Sequence, residues 1–339
     1  MSSLSVATSK PKLWVSRPVP PEPLAPLHQY FDVWSEPTER SLSPSELARK
    51  LAACDAAMVG LADHIGASEI AETRRLRFIA NMATGYDNLD LAALSAKRIG
   101  ASNTPGVLSE SVAEFAWALM LAASRRVCAA DRWVRGGQWK QAFGFSDWLG
   151  YDLSGRTLGI LGLGRIGQAV ARRAAAFRMP VIYHNRSRVD PALESDCGAR
   201  YVDMDFLLRS SDVLLVAIPA TSGTRHLLGA GELARMKATA VLVNVARGGI
   251  VDEHALAEAL EHGRIAAAAL DVFEGEPAIL PALLVLENVI LTPHIASATP
   301  STRRAMVAVA VDNVMAFFGF GTHAGQPPNL LNPDLLSND

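Results

Sequence analysis

Cysteine is scarce: Cys54, Cys128 and Cys197 are the only three in 339 residues. They lie far apart and cannot pair completely, which excludes a disulfide framework or a cysteine-based zinc site and predicts reduced thiols in a cytoplasmic protein. An excess of one charge is missing too, because 34 acidic residues nearly cancel 32 basic ones and leave a net charge of −2. No stripe of lysine and arginine is long enough to track a phosphate backbone, so nucleic acid is not expected as a partner. Long apolar runs are lacking although half the chain is hydrophobic. The richest stretch, Val112 to Ala123, carries Glu114 and falls well short of the ~18 consecutive apolar residues of a membrane span. The start, Met1-Ser2-Ser3-Leu4, has no charged region followed by an apolar core, so no secretory signal is expected. Nothing repeats at a fixed period, and no cluster has metal-ligand spacing.

What is present is an alternation of strand and helix patterns. Lys12 to Ser16, Asp55 to Gly60 and Leu76 to Ala80 read as strands, with helical spacing around Leu27 to Phe31. Such alternation predicts an α/β protein with parallel sheets covered by helices. At Thr104-Pro105-Gly106 the pattern breaks before a long helix, for which Ser111 and Glu114 have capping-box spacing. A second series follows, with strands predicted at Thr157 to Leu161, Val181 to His184, Asp212 to Ile218, Ala240 to Asn244, Ala266 to Val272 and Val289 to Thr292. Six strands separated by helices suit a dinucleotide-binding fold. The last helix, about Ser301 to Phe318, comes after this series and would cross back. The expected division is therefore 1–105 with 298–339 as a discontinuous first domain, and 106–297 as the second.

The chemistry-bearing motifs lie at the strand ends. Gly162-Leu163-Gly164-Arg165-Ile166-Gly167 sets G-x-G-x-x-G between a strand and a helical run, where a pyrophosphate would meet Gly162, Gly164, Gly167 and the N–H groups of Arg165 and Ile166. The alternative is a glycine-rich βα turn without a ligand. The next strand ends in His184-Asn185-Arg186-Ser187-Arg188, without the acid that would accept hydrogen bonds from the ribose of NAD. Two guanidinium groups and a hydroxyl suit a 2′-phosphate instead, so NADP(H) is favoured and NAD(H) possible. In the competing reading, Arg186 and Arg188 are solvated and Asp190 reaches the ribose.

Arg247 follows a strand in Asn244-Val245-Ala246-Arg247-Gly248-Gly249-Ile250-Val251-Asp252, and its planar fork of donors matches a carboxylate, unless it serves a structural ion pair. Two further strand ends carry Asp271, Glu274 and Glu276, and His294 before Ser297. A histidine beside a carboxylate makes an acid–base relay, because the acid sets the ring tautomer and favours its charged form.

These motifs together resemble the D-isomer-specific 2-hydroxyacid dehydrogenase family along nearly the whole chain, and most its glyoxylate/hydroxypyruvate reductases. The matching stretches are Gly85-Tyr86-Asp87-Asn88, Asn103 to Val107, Gly162 to Gly167, Asn244 to Asp252, Asp271 to Pro277 and Pro293-His294-Ile295. The resemblance implies two Rossmann-like or flavodoxin-like domains, the discontinuous one binding substrate. It implies Arg247, Glu276 and His294 as the catalytic three, choosing Glu276 over Glu274 because it precedes Pro277. It further implies that Asp271 holds the nicotinamide carboxamide and that Pro219, Val245, Asn185, Arg186, Ser187 and Arg188 line the cofactor. Thr84 and Gly85 would then offer donors to a substrate carboxylate, with Ser297 lining the pocket. The chain departs from its relatives at Ala83, where glycine is common. Hydride transfer to a small 2-oxo acid is the implied reaction. Alternatives are a D-lactate or hydroxyphenylpyruvate type of enzyme, or a nucleotide-sensing corepressor-like binding protein.

Aromatics are sparse at 6% of the chain, yet Trp133, Trp139, Phe143, Phe145, Trp148 and Tyr151 crowd into residues 133–151. Such a cluster needs burial, either on its own domain's core or against a second copy. The resemblance favours a homodimer through this segment, with Trp148 reaching the neighbouring site.

Overall fold

The computed structural model describes residues 9–142 and 144–335. The chain divides into two compact units, Met1–Leu108 with Thr299–Asp339, and Ser109–Ala298.

In the first unit, β1 (Lys12–Val15), β2 (Asp32–Ser35), β3 (Ala56–Val59), β4 (Phe78–Asn81) and β5 (Gly100–Ser102) form a parallel sheet in the order β2-β1-β3-β4-β5. Successive side chains of a strand point to opposite faces, so each central strand feeds two cores. Leu13, Val15, Met58, Phe78 and Ala80 face one layer, which includes Val307, Ala310, Val311 and Val314 of the helix Pro300–Phe317. Trp14, Ala57, Val59 and Ile79 face the other, with Leu47, Leu51 and Leu94.

In the second unit, β6 (Leu158–Leu161), β7 (Val181–His184), β8 (Ala199–Tyr201), β9 (Val213–Val216), β10 (Val241–Asn244), β11 (Ala267–Leu270) and β12 (Val289–Leu291) form a seven-stranded parallel sheet. Its order, β12-β11-β10-β9-β6-β7-β8, reverses between β6 and β9, and ligands of open α/β sheets bind at such a reversal, outside the strands' carboxyl ends. The expected fold class, two parallel-sheet α/β domains, is what the structure shows. Strands β2, β5 and β8 were not legible in the sequence, and all three are edge strands of three or four residues.

The capping-box expectation at Ser111 fails. The helix starts two residues earlier, as Ser109–Ser124, and Ser111 lies inside it and donates to the Ala296 carbonyl at 3.2 Å. A serine already within the first turn cannot cap it. The same helix packs against the helix Arg165–Ala174, and Trp117 Nε1 donates to the Val170 carbonyl at 3.2 Å while its ring stacks on Phe177. Among the described residues no helix is long and apolar enough to cross a membrane.

Candidate active site

The glycine-rich turn leaves β6 at Gly162, whose φ of +106° is the left-handed region that favours glycine. A Cβ there would come within 2.6 Å of the Ala217 carbonyl oxygen, and one at Gly167 within 2.2 Å of the Gly162 oxygen. These two glycines close the helix Arg165–Ala174 onto the sheet. Gly164 differs, since a Cβ would meet nothing within 4 Å. It is also the N-cap of that helix and makes no side-chain capping bond, so the first N–H groups, including those of Arg165 and Ile166, are presented beside open space. This cradle fits the pyrophosphate of a dinucleotide.

At the end of β7, Asn185 Oδ1 accepts the Leu163 N–H at 2.7 Å and so fastens the glycine turn. Arg186 and Ser187 are exposed. Arg188 instead turns both arms of its fork to Glu194, at 2.8 and 2.6 Å, and Glu194 also accepts the Tyr183 hydroxyl at 2.5 Å. Asp190 caps the helix Pro191–Cys197 by accepting the Ala192 N–H at 2.7 Å. Pro219 is exposed and its carbonyl accepts from Thr224; Val245 is buried.

The ends of β10, β11 and β12 converge on one constellation. After β10, Asn244 is buried and clamps its own turn: its Oδ1 accepts the Ala246 N–H at 3.0 Å and its Nδ2 donates to the Arg247 carbonyl at 2.9 Å. Arg247 is half-buried, and its Nη1 donates to the Ala246 carbonyl at 2.7 Å. After β11, Asp271 is fully buried, and its carboxylate accepts from Thr292 Oγ1 and from the N–H groups of Ile295 and Ala296 at 2.7 to 2.9 Å. The side chain therefore anchors the loop that carries His294.

His294 Nδ1 and Glu276 Oε2 are 2.8 Å apart, while Glu276 Oε1 accepts the Phe273 N–H at 2.9 Å. Glu274 points elsewhere, to Arg225 and His226 at 2.6 and 2.7 Å. Burial alone would push the Glu276 carboxyl up; the bonds from His294 and the Phe273 N–H, with the charges of His294 and Arg247, outweigh it and hold the pKa below the ordinary value. A carboxylate that stays ionised beside a histidine keeps one ring nitrogen occupied and leaves Nε2 for chemistry. Ser297 is half-buried, three residues beyond His294.

In the first unit, the turn after β4 is organised by one backbone bond and by two amide side chains, Asn103, which the sequence reading quoted without a role, and Asn81, which it did not single out. The Ala83 carbonyl accepts the Thr104 N–H at 2.9 Å, the Thr84 carbonyl accepts Asn103 Nδ2 at 2.7 Å, and the Gly85 carbonyl accepts Asn81 Nδ2 at 2.8 Å. Across a trans peptide the carbonyl and the following N–H point in opposite directions. The anchored Ala83 and Thr84 carbonyls therefore turn the N–H groups of Thr84 and Gly85 away from the network, and the Gly85 carbonyl fixes the peptide that follows. The signal was available: Asn81, Asn88 and Asn103 are amides on or beside buried strand ends, where a polar side chain must find partners.

Residues 117–296 match the family described as D-isomer specific 2-hydroxyacid dehydrogenase, NAD binding domain. Relatives at the level of the whole chain include the glyoxylate reductase of Korarchaeum cryptofilum, 44% identical over 331 residues, covering 96% of this chain and 97% of that protein. The glyoxylate reductase of Aeropyrum pernix is 46% identical over 340 residues, covering 96% and 97%. Among solved structures, the NADPH-dependent glyoxylate/hydroxypyruvate reductase of Sinorhizobium meliloti, in complex with NADP and malonate, is similar with a TM-score of 0.82 and 35% identity, covering 95% of this chain and 97% of that one. With these likenesses spanning both units, the chain belongs to the D-isomer-specific 2-hydroxyacid dehydrogenases, a family of NAD(P)-dependent oxidoreductases.

Proposed function

We propose that this enzyme reduces small 2-oxo acids, glyoxylate and hydroxypyruvate, to the corresponding 2-hydroxy acids, with NADPH preferred. The observation that carries the reading is the His294–Glu276 pair at 2.8 Å, at the strand ends that also present Arg247. The reduced nicotinamide, when bound, supplies the hydride. Gly162, Gly164, Gly167 and the N-terminus of the helix Arg165–Ala174 hold its pyrophosphate, with Val245, Pro219 and Asp271 along its length. Arg247 binds the substrate carboxylate and polarises the carbonyl, and Ser297 lines the pocket. On the first unit, the N–H groups of Thr84 and Gly85 are donors that suit a carboxylate. His294 Nε2 delivers a proton to the carbonyl oxygen, and Glu276 orients the ring through Nδ1. Oxidation in reverse needs the neutral ring as base, so low pH favours reduction.

Preference for NADPH is supported by the exposed Arg186 and Ser187 at the end of β7 and by the diversion of Asp190 to a helix cap. Arg188 contributes less to this reading than its position in the sequence implies, because Glu194 occupies its fork. Assembly as a homodimer is supported by Trp139, Phe145 and Leu149, which are 59%, 101% and 67% exposed in the single chain. Trp148 packs on Trp133 and lies under Arg126 of its own chain, and Phe143 lies outside the described residues.

The test is steady-state oxidation of NADPH and NADH with a panel of 2-oxo acids ranked by kcat/KM. Glyoxylate and hydroxypyruvate with NADPH should lead. A larger aromatic 2-oxo acid at the head of the ranking, or no turnover with any, would overturn the reading.

A further inference from the structure

We infer that Glu253 is a positioning residue for the acid–base pair: its buried carboxylate holds the Phe273–Glu276 segment where Glu276 meets His294. The inference rests on the relay reading above.

Glu253 opens the helix Glu253–Glu261 and lies on the face buried through Leu256, Ala257 and Leu260. It is only 7% exposed. A carboxylate on an apolar helix face is costly unless it is hydrogen-bonded, so its partner identifies what it is for. Helix capping does not require it, because Asp252 Oδ1 already accepts the N–H groups of His254 and Ala255. Glu253 Oε1 instead accepts the Glu274 N–H at 2.6 Å, across 21 residues of sequence. Burial, together with the neighbouring Glu274 and Glu276 charges, pushes its carboxyl above the ordinary value despite that bond and the charge of His254. The chain therefore tolerates an electrostatically unfavourable acid at this point.

The bond matters because of where the held peptide leads. Phe273 donates its N–H to Glu276 Oε1 at 2.9 Å, and Glu276 Oε2 meets His294 Nδ1 at 2.8 Å. Three consecutive contacts thus connect Glu253 to the imidazole. From the other side the same peptide is pressed onto Gly248, where a Cβ would come within 1.9 Å of the Phe273 oxygen and 2.5 Å of the Glu274 nitrogen. Gly248 follows Arg247, so one peptide seats both the segment of Glu276 and the turn of the arginine. The remaining ties on Glu274, to Arg225 and His226, are at the surface and contribute little. The bond to Glu253 is charge-assisted and shielded from water.

The experiment compares Glu253→Ala and Glu253→Gln with the wild type. In Glu253→Ala, kcat for 2-oxo acid reduction should fall up to about 100-fold, as expected for a displaced catalytic group, while KM for the nicotinamide cofactor stays within about twofold. In Glu253→Gln, which keeps an oxygen acceptor in the same place, kcat should return to near wild type. If the alanine variant does not fold, Glu253→Met fills the volume without an acceptor and should show the same loss. Independently of turnover, amide exchange at Glu274 and the Nδ1–H proton resonance of His294 should report a released segment in the variants without an acceptor and an intact one in glutamine. A folded alanine or methionine variant with wild-type kcat and an unchanged resonance would overturn the inference, as would a loss that glutamine does not rescue. A wild type inactive on every 2-oxo acid would overturn the relay reading instead, and the resonance and exchange data would still decide whether Glu253 holds the pair.

Discussion

His294 Nδ1 faces Glu276 Oε2 at 2.8 Å from a backbone held at φ +54°, in the left-handed region. That conformation costs a residue with a Cβ roughly 1–2 kcal/mol. It persists because Asp271 grips both flanks: its carbonyl accepts the His294 N–H at 2.9 Å, and its carboxylate takes the two N–H groups that follow. The ring is aimed by its strand end rather than by its own rotamer alone.

His294→Ala should lower kcat by about 10²- to 10⁴-fold, the range of a general acid, and leave NADPH binding nearly intact by fluorescence titration. Glu276→Gln should lower kcat by up to about 100-fold with KM for the cofactor little changed, because an amide no longer fixes the direction of the ring through Nδ1. A variant with wild-type kcat would remove Glu276 from the relay.

Arg186 and Arg188 should separate. Arg186→Ala should cut kcat/KM for NADPH by about 10-fold or more and spare NADH, the loss of one charge-assisted contact being worth ~1.5–3 kcal/mol. Arg188→Ala should instead lower the thermal midpoint, since it leaves the buried Glu194 carboxylate with only the Tyr183 hydroxyl. Equal effects of both substitutions on cofactor preference would contradict this division.

Acid sensitivity follows from the same pair. The fork of Arg188 and the Tyr183 hydroxyl hold the Glu194 carboxyl at about 2, against an ordinary 4.5. A depressed acid stabilises the folded state above its unfolded value and loses that contribution as pH falls, here between about 4.5 and 2. Denaturant midpoints across that window should fall less steeply in Glu194→Gln than in the wild type.

Asn103→Ala should raise KM for the 2-oxo acid about tenfold with little change in KM for the cofactor, because it releases the Thr84 carbonyl and with it the direction of the Gly85 N–H. Equal increases in both constants would indicate a general loss of structure.

Light scattering at micromolar concentration should give twice the 36.2 kDa chain mass. Trp139→Asp combined with Phe145→Asp should yield monomer, since a charge on each exposed ring position opposes burial against a second copy. A fully active wild-type monomer would refute the dimer.

Strand and helix alternation, the glycine turn and the polar residues closing apolar strands were legible in the amino-acid order, because buried parallel strands are short apolar runs and their carboxyl ends are where side chains change character. The edge strands β2, β5 and β8 were not legible. Asp32–Ser35 and Ala199–Tyr201 each pair with one strand and keep exposed residues, while Gly100–Ser102, buried, is made of small ones that carry little apolar signal. Side-chain pairing was decided by the tertiary structure alone. Arg188 and Arg186 are equivalent in the sequence, and only the packing of Glu194 beneath the loop takes one of them away. Asp271, Glu274 and Glu276 are likewise three acids near one strand end, yet they turn to the histidine loop, to the surface and to His294 respectively. Hydrogen bonds act over about 3 Å and depend on direction, and the fold brings these acids to partners 18 to 49 positions away, so their roles depend on the folded backbone.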